Sequence, residues 1–212
     1  TSLTTVCATD LHGAMDTLQA LLNKVDTHLK GASYELICLG DTLDRGPKSR
    51  EVVEWLMTNK IRTCAGNHED LCLAYSEHAK MGYKAKCARY YDRNVWLHNG
   101  GDVALDSWGT KTLPRDVLDW FASLPPYIIV DQESEGRKLL ASHSGYGLDA
   151  DKGNWMRALW GRRGYDSYEW AHDTEGKPMD DGYFRVYGHT RVKEPVIEAD
   201  CVNIDTGAAY GG

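Results

Sequence analysis

The sequence predicts an α/β fold, and three observations carry that prediction. Short β-branched, apolar runs alternate with segments whose apolar residues recur at helical spacing. Five of the strand-like runs end in a polar turn that holds Asp, Asn or His beside a glycine. The composition is that of a globular chain, 42% hydrophobic and 26% charged, with 21 Gly against 6 Pro in 212 residues. Glycine used this way belongs to tight turns inside a folded unit, where no side chain opposes a sharp backbone path.

The elements follow in order. Thr4 to Ala8 reads as a first strand, and Leu18, Leu21, Leu22, Val25 and Leu29 then mark the buried stripe of a helix. Leu36 to Leu39 is a second strand. Pro47 stands where a helix would open, and Val52, Val53 and Leu56 supply its apolar face. Ile61 to Ala65 is a third strand, with another helix from about Glu69. Such β-α-β-α-β alternation implies parallel strands joined by right-handed crossovers. Residues 81–109 break the alternation and read as irregular, ending in Trp96-Leu97-His98-Asn99-Gly100-Gly101. Pro114 opens a short helix carrying Val117, Leu118, Phe121 and Leu124, and Tyr127 to Val130 with Lys138 to Ser142 form a hairpin. Residues 151–183 are again irregular and hold Trp155, Trp160, Tyr165, Tyr168 and Trp170. Phe184 to Tyr187 and Cys201 to Ile204 are the closing strands. No repeat or linker divides residues 1–212, so one domain is expected.

Charge and composition exclude several functions. A net charge of −7 argues against a nucleic-acid partner, which calls for a basic face to neutralise phosphates. There is no run of 18 apolar residues to span a membrane. The opening TSLTTVCATD lacks the basic and apolar regions of a signal peptide. Of the six cysteines, Cys7, Cys38, Cys64 and Cys201 fall in strand-like runs without CxxC spacing, as small buried hydrophobes of a reduced, cytoplasmic protein do.

The chemistry gathers at strand ends. The five turns are Ala8-Thr9-Asp10-Leu11-His12-Gly13, Gly40-Asp41-Thr42-Leu43-Asp44-Arg45-Gly46, Gly66-Asn67-His68-Glu69, His143-Ser144-Gly145 and Gly188-His189-Thr190. Loops beyond the carboxyl ends of α/β strands line the ligand crevice, so these can meet at one point. A single strand-end Asp is ordinarily a turn residue or helix cap. Five coincident signatures are not explained that way. Asp10, His12, Asp41, Asn67, His143 and His189 offer mixed oxygen and nitrogen ligands. The set is too large for one structural zinc and too rich in imidazole for calcium or magnesium. It suits two transition-metal ions sharing a carboxylate, which generate hydroxide at neutral pH and hold both oxygens of an in-line displacement. Hydrolysis of a phosphate ester is the reaction that fits.

As an ordered set these turns, with Asn99-Gly100-Gly101 and Asn203-Ile204-Asp205-Thr206-Gly207, resemble the motifs of PPP-type serine/threonine protein phosphatases. That group is a branch of the calcineurin-like metallophosphoesterases, and the small size is similar to its bacteriophage lambda-type and bacterial members. The resemblance implies an αββα sandwich of two mixed sheets flanked by helices. It implies one metal on Asp10, His12 and Asp41 and a second on Asp41, Asn67, His143 and His189. Manganese is the expected ion, with iron or zinc also compatible with the ligands. His68 would be the general acid, with Asp44 orienting it and keeping it protonated. Arg45 would clamp phosphoryl oxygens, helped by Arg162, with Arg163 as the substitute. The implied substrate is a phosphorylated protein or peptide, acted on by a monomer.

Two departures from the family pattern stand out. Thr9 replaces the glycine most members carry, and the sequence stops at Gly212, where members usually add another strand. The rival substrate class is a dinucleoside tetraphosphate cleaved symmetrically. That subgroup typically has Ala at the position of Asp44, so Asp44 favours the phosphatase branch. A non-catalytic scaffold is a further rival, but such relatives lose ligands and this chain keeps the full set. For the aromatic segment 155–170, packing is favoured over a peptide groove.

Overall fold

A computed structural model describes residues 3–78, 86, 94–134, 136–145, 159–160 and 181–211. Strand β1 (Thr4–Ala8), helix α1 (Met15–His28), β2 (Tyr34–Cys38), α2 (Ser49–Thr58), β3 (Arg62–Thr63) and α3 (Asn67–His78) realise the predicted alternation. Their three strands pair in parallel in the order β1-β2-β3, with Val6 opposite Leu36 and Cys38 opposite Thr63. Helices α4 (Asp102–Trp108) and α5 (Arg115–Ser123) follow, then β4 (Tyr127–Ser134), β5 (Arg137–Ser142), β6 (Tyr183–Tyr187), β7 (Val196–Ile197) and β8 (Cys201–Asn203). These five strands form a mixed sheet, β4-β5-β6-β8-β7, with the predicted β4–β5 hairpin at one edge. The first sheet was expected to be mixed, but its described strands are all parallel.

The two sheets pack face to face. Ile37, Leu39 and Cys64 of the first layer meet Ile128, Val130, Ala141 and Val186 of the second. On the other side of the first sheet, Ala8, Leu36 and Cys38 pack with Leu18 and Leu22 of α1 and Val52 and Leu56 of α2. Successive residues of β2 thus face opposite layers and are apolar in both directions, as a parallel strand covered on both faces must be. A third cluster joins α3, α4 and α5 through Leu71, Leu105, Trp108, Leu118 and Phe121, and takes in Leu159.

Three details differ from expectation. Helix α4 lies in a stretch read as irregular: seven residues hold too few apolar positions to show a period, although Ala104, Leu105 and Trp108 are buried. Strand β4 runs on to Ser134 through polar residues, which an edge strand tolerates because one side lacks a neighbour. Strand β7 is a two-residue edge pair whose Val196 and Ile197 are exposed, so burial left no mark on it. The five described cysteines are free thiols. Burial pushes Cys7 up to about 12, with Glu35 adding to the rise, so this thiol stays protonated and unreactive. Among the described residues no helix is long and apolar enough to cross a membrane.

Candidate active site

Strand ends β1, β2, β3, β5 and β6 deliver their turns to one place, and the backbone there is under constraint. Asp10, His12, Asp41, Asp44, Arg45 and His189 all adopt left-handed φ, between 42° and 76°. Side chains with a Cβ avoid this region, and residues held in it cluster at functional sites. Cross-loop hydrogen bonds hold them: His12 N–H donates to Asp41 O (2.9 Å), Gly13 N–H to Thr42 O (3.0 Å) and Gly46 N–H to His12 O (2.9 Å). Gly46 is required here, since a Cβ would run into the His12 carbonyl.

Four of the six predicted ligands are fixed by a partner behind them. Thr9 Oγ1 and His189 N–H both donate to Asp10 Oδ2, at 2.5 and 2.9 Å, which leaves Oδ1 facing His12. The departure at Thr9 therefore orients a ligand. His68 N–H, in the first turn of α3, donates to Asp41 Oδ1 at 2.9 Å. His12 and His143 each place Nδ1 2.9 Å from a backbone carbonyl, Leu43 O and Leu39 O respectively. Donation there puts the proton on Nδ1 and turns the Nε2 lone pair into the site.

Those lone pairs converge. His143 Nε2 stands 2.9 Å from Asn67 Oδ1, 3.1 Å from His189 Nδ1 and 3.5 Å from Asp41 Oδ2. His12 Nε2 lies 3.5 Å from Asp41 Oδ2 and 3.9 Å from Asp10 Oδ1. Asp41 is common to two groups: the ligand atoms of His12, Asp41 and His68 lie within 4.8 Å of one another, as do those of Asp41, His143 and His189. Burial pushes His12 down to about 4 and His189 to about 3, so both imidazoles are neutral at pH 7. Ligand atoms buried this close together are costly without positive charge between them. Two divalent ions bridged by Asp41 fit this donor set. Burial, reinforced by Asp10 and Glu69, also holds Asp41 well above the usual carboxylate range, which a bound cation would reverse. Asp10 goes the other way: burial opposes ionisation, but His143, His12 and two hydrogen bonds lower its pKa.

A second cluster adjoins the first. Arg45 donates through Nη1 to His12 Nε2 (2.7 Å) and through Nη2 to His68 Nε2 (3.0 Å). Behind His68, Nδ1 is 2.6 Å from Asp44 Oδ2, the partner expected for it. The expectation that Asp44 keeps His68 protonated is corrected, however. Burial, then His12 and Arg45, hold the His68 pKa well below the ordinary imidazole value, while burial raises that of Asp44. Asp44 orients the ring in the metal-free site but does not charge it.

Arg162 and Arg163 lie outside the described residues, as do Trp155, Tyr165, Tyr168 and Trp170. Trp160 is half-buried against the helical core, as the packing reading has it, with its ring 6.2 Å from that of His189. Sequence reasoning gave Glu69 no role. Its Oε1 accepts from Thr42 N–H (2.8 Å) and Oγ1 (2.7 Å), and its Oε2 from Asp41 N–H (3.0 Å) and Gly66 N–H (2.8 Å). One buried carboxylate thereby fastens the Asp41 turn to the start of α3. The signal was present: a Glu three residues after the residue preceding a helix is the N3 half of a capping box.

Comparison with known proteins agrees with this geometry. The profile of the calcineurin-like phosphoesterases matches residues 3–203. A bis(5'-nucleosyl)-tetraphosphatase PrpE [asymmetrical] of Bacillus mycoides is 27% identical over 96% of this chain and 85% of its own. Its Bacillus subtilis counterpart is 28% identical over 95% and 85%. A solved structure provisionally described as a diadenosine tetraphosphatase superposes with a TM-score of 0.58 at 18% identity, covering 99% of this chain and 90% of that one. The resemblance thus holds at the level of the superfamily, but these relatives do not carry the expected name of PPP-type protein phosphatase. The motifs behind that expectation are those expected to face a phosphate and its metals, and say little about what the phosphate is attached to.

Proposed function

The chain belongs to the calcineurin-like phosphoesterases, and within that family we propose that it cleaves dinucleoside tetraphosphates asymmetrically. As a family member it is a metal-dependent phosphoester hydrolase. The observation that carries the finer reading is the pair of PrpE relatives, each aligned over at least 95% of this chain and 85% of its own length. Asp44 counted only against a symmetrical hydrolase, so its presence is compatible with an asymmetrical one.

In this reading Asp10, His12 and Asp41 hold one divalent ion and Asp41, Asn67, His143 and His189 a second. The ions supply Lewis acidity and water activation when bound. Arg45 sits with its guanidinium fork open to both His12 and His68, placed to bind phosphoryl oxygens bidentately. His68 presents Nε2 to the same space with Nδ1 held by Asp44; as general acid it first takes up a second proton at Nε2 and then gives that proton to the departing oxygen. Arg162 is a second clamp. Manganese, iron and zinc all suit the mixed nitrogen and oxygen donors.

One observation favours a second reading, a protein phosphatase. The Asp44–His68 pair, once Nε2 has taken up a proton, is placed to donate it, and a proton is needed most by an alkoxide leaving group such as that of a phosphoserine. The two readings separate in one experiment. Chelated enzyme is given Mn²⁺ and offered diadenosine tetraphosphate or a phosphoserine peptide, with products resolved by chromatography. We expect metal-dependent release of ATP and AMP. Turnover of the peptide with the dinucleotide inert would transfer the assignment to the second reading. Metal-independent turnover would overturn both.

A further inference from the structure

Asn99-Gly100-Gly101 and the tryptophan before it belong to a motif that metal binding and phosphate binding leave unexplained. The chain kinks between Leu97 and Gly101, where Asn99 and Gly100 leave helical backbone angles, Gly100 with φ 99°. Gly100 O accepts from Arg45 N–H at 3.3 Å. A Cβ on Gly100 would sit 2.6 Å from Arg45 N, and one on Gly101 would sit 2.5 Å from the Trp96 ring. The two glycines therefore make room for the Asp44–Arg45 backbone and for one indole.

That indole is 1% exposed and packs 5.0 Å from the Tyr75 ring of α3. Its Nε1–H reaches both oxygens of Asp44, at 3.0 and 2.8 Å. An indole N–H can only donate, so it holds the fully buried Asp44 carboxylate as an acceptor. Arg45 Nη2 donates to His68 Nε2 at 3.0 Å, so the proton of the neutral ring is on Nδ1 and the 2.6 Å contact runs from His68 to Asp44. Nε2 is then the atom presented to the site, 3.8 Å from Asp41 Oδ2.

We infer that Trp96 is a positioning residue for phosphoester cleavage, fixing the tautomer and orientation of His68 through Asp44. The inference rests on His68 acting as reading of the site above has it. Trp96→Phe keeps the ring and removes the N–H. In the metal-free enzyme the His68 Nδ1 proton should shift or broaden in the ¹H NMR spectrum. In the Mn²⁺ enzyme kcat on diadenosine tetraphosphate should fall about tenfold, with KM unchanged, as expected for losing one hydrogen bond to a charged group. The same substitution made on Asp44→Asn should cost nothing further, because the path runs through Asp44. An unmoved Nδ1 resonance, or equal losses with and without Asp44, would reduce Trp96 to core packing. His68→Asn tests the underlying reading separately: unchanged kcat there removes the acid, whereas the resonance still decides whether Trp96 positions the ring.

Discussion

Around His143, metal-type ligand atoms crowd together: Nε2 has Asn67 Oδ1, His189 Nδ1 and Asp41 Oδ2 within 3.5 Å. Around His68 the donors and acceptors alternate, from Trp96 to Asp44, from His68 Nδ1 to Asp44, and from Arg45 to His68 Nε2. The two clusters lie side by side and share Asp41, yet they satisfy buried polarity in opposite ways. The first is left short of positive charge, which bound cations would supply. The second is complete within the protein and holds a proton-bearing ring in one orientation. A phosphoesterase needs both, one for charge on the attacked phosphorus and one for the leaving oxygen.

Breaking the second cluster should have the larger kinetic signature. His68→Ala is expected to lower kcat about 10²–10⁴-fold on poor leaving groups and much less on a nitrophenyl phosphate, which departs without a proton. Equal losses on the two would take the acid role away from His68. Glu69→Gln should loosen the shared framework instead. Replacing the charged acceptor of four hydrogen bonds should cost about 1–3 kcal/mol in denaturant unfolding, with Mn²⁺ affinity falling alongside. Unaltered stability would mean that the Asp41 turn holds itself.

The smallest effect concerns Asp205, which burial and then Asp10 raise to about 6. A carboxyl whose folded pKa lies above its unfolded value makes the native state bind the extra proton, so stability falls as pH climbs through roughly 4 to 6. Asp205→Asn in metal-free protein should therefore raise the Tm at pH 7.5 by a few degrees and leave it nearly unchanged at pH 4. A shift of the same size at both pH values would show a packing effect.

Much of this contrast could be read from residues alone. The apolar stripe Leu18, Leu22 and the double-faced run Leu36 to Leu39 announced α1 and β2, because burial on one side or both leaves a period. The six candidate ligands could be picked out because each occupies a glycine turn at a strand end. The second cluster was half hidden. Trp96 looks like any core aromatic until its N–H is seen against Asp44, 52 positions away in sequence. Hydrogen bonds across such separations leave no local pattern. Helix α4 and strand β7 were missed for a related reason, being too short to carry a period. The substrate class was not legible there, because catalytic motifs record the bond being broken, not the molecule that owns it.

The central claim is that Asp41 joins two cation sites, and metal stoichiometry tests it without relying on turnover. Titration of chelated protein with Mn²⁺, followed by calorimetry and elemental analysis, should give two ions per chain, with one ion lost in His143→Ala and both weakened in Asp41→Asn. A single ion in the unmodified protein, or two ions retained in Asp41→Asn at unchanged affinity, would contradict a shared bridging carboxylate.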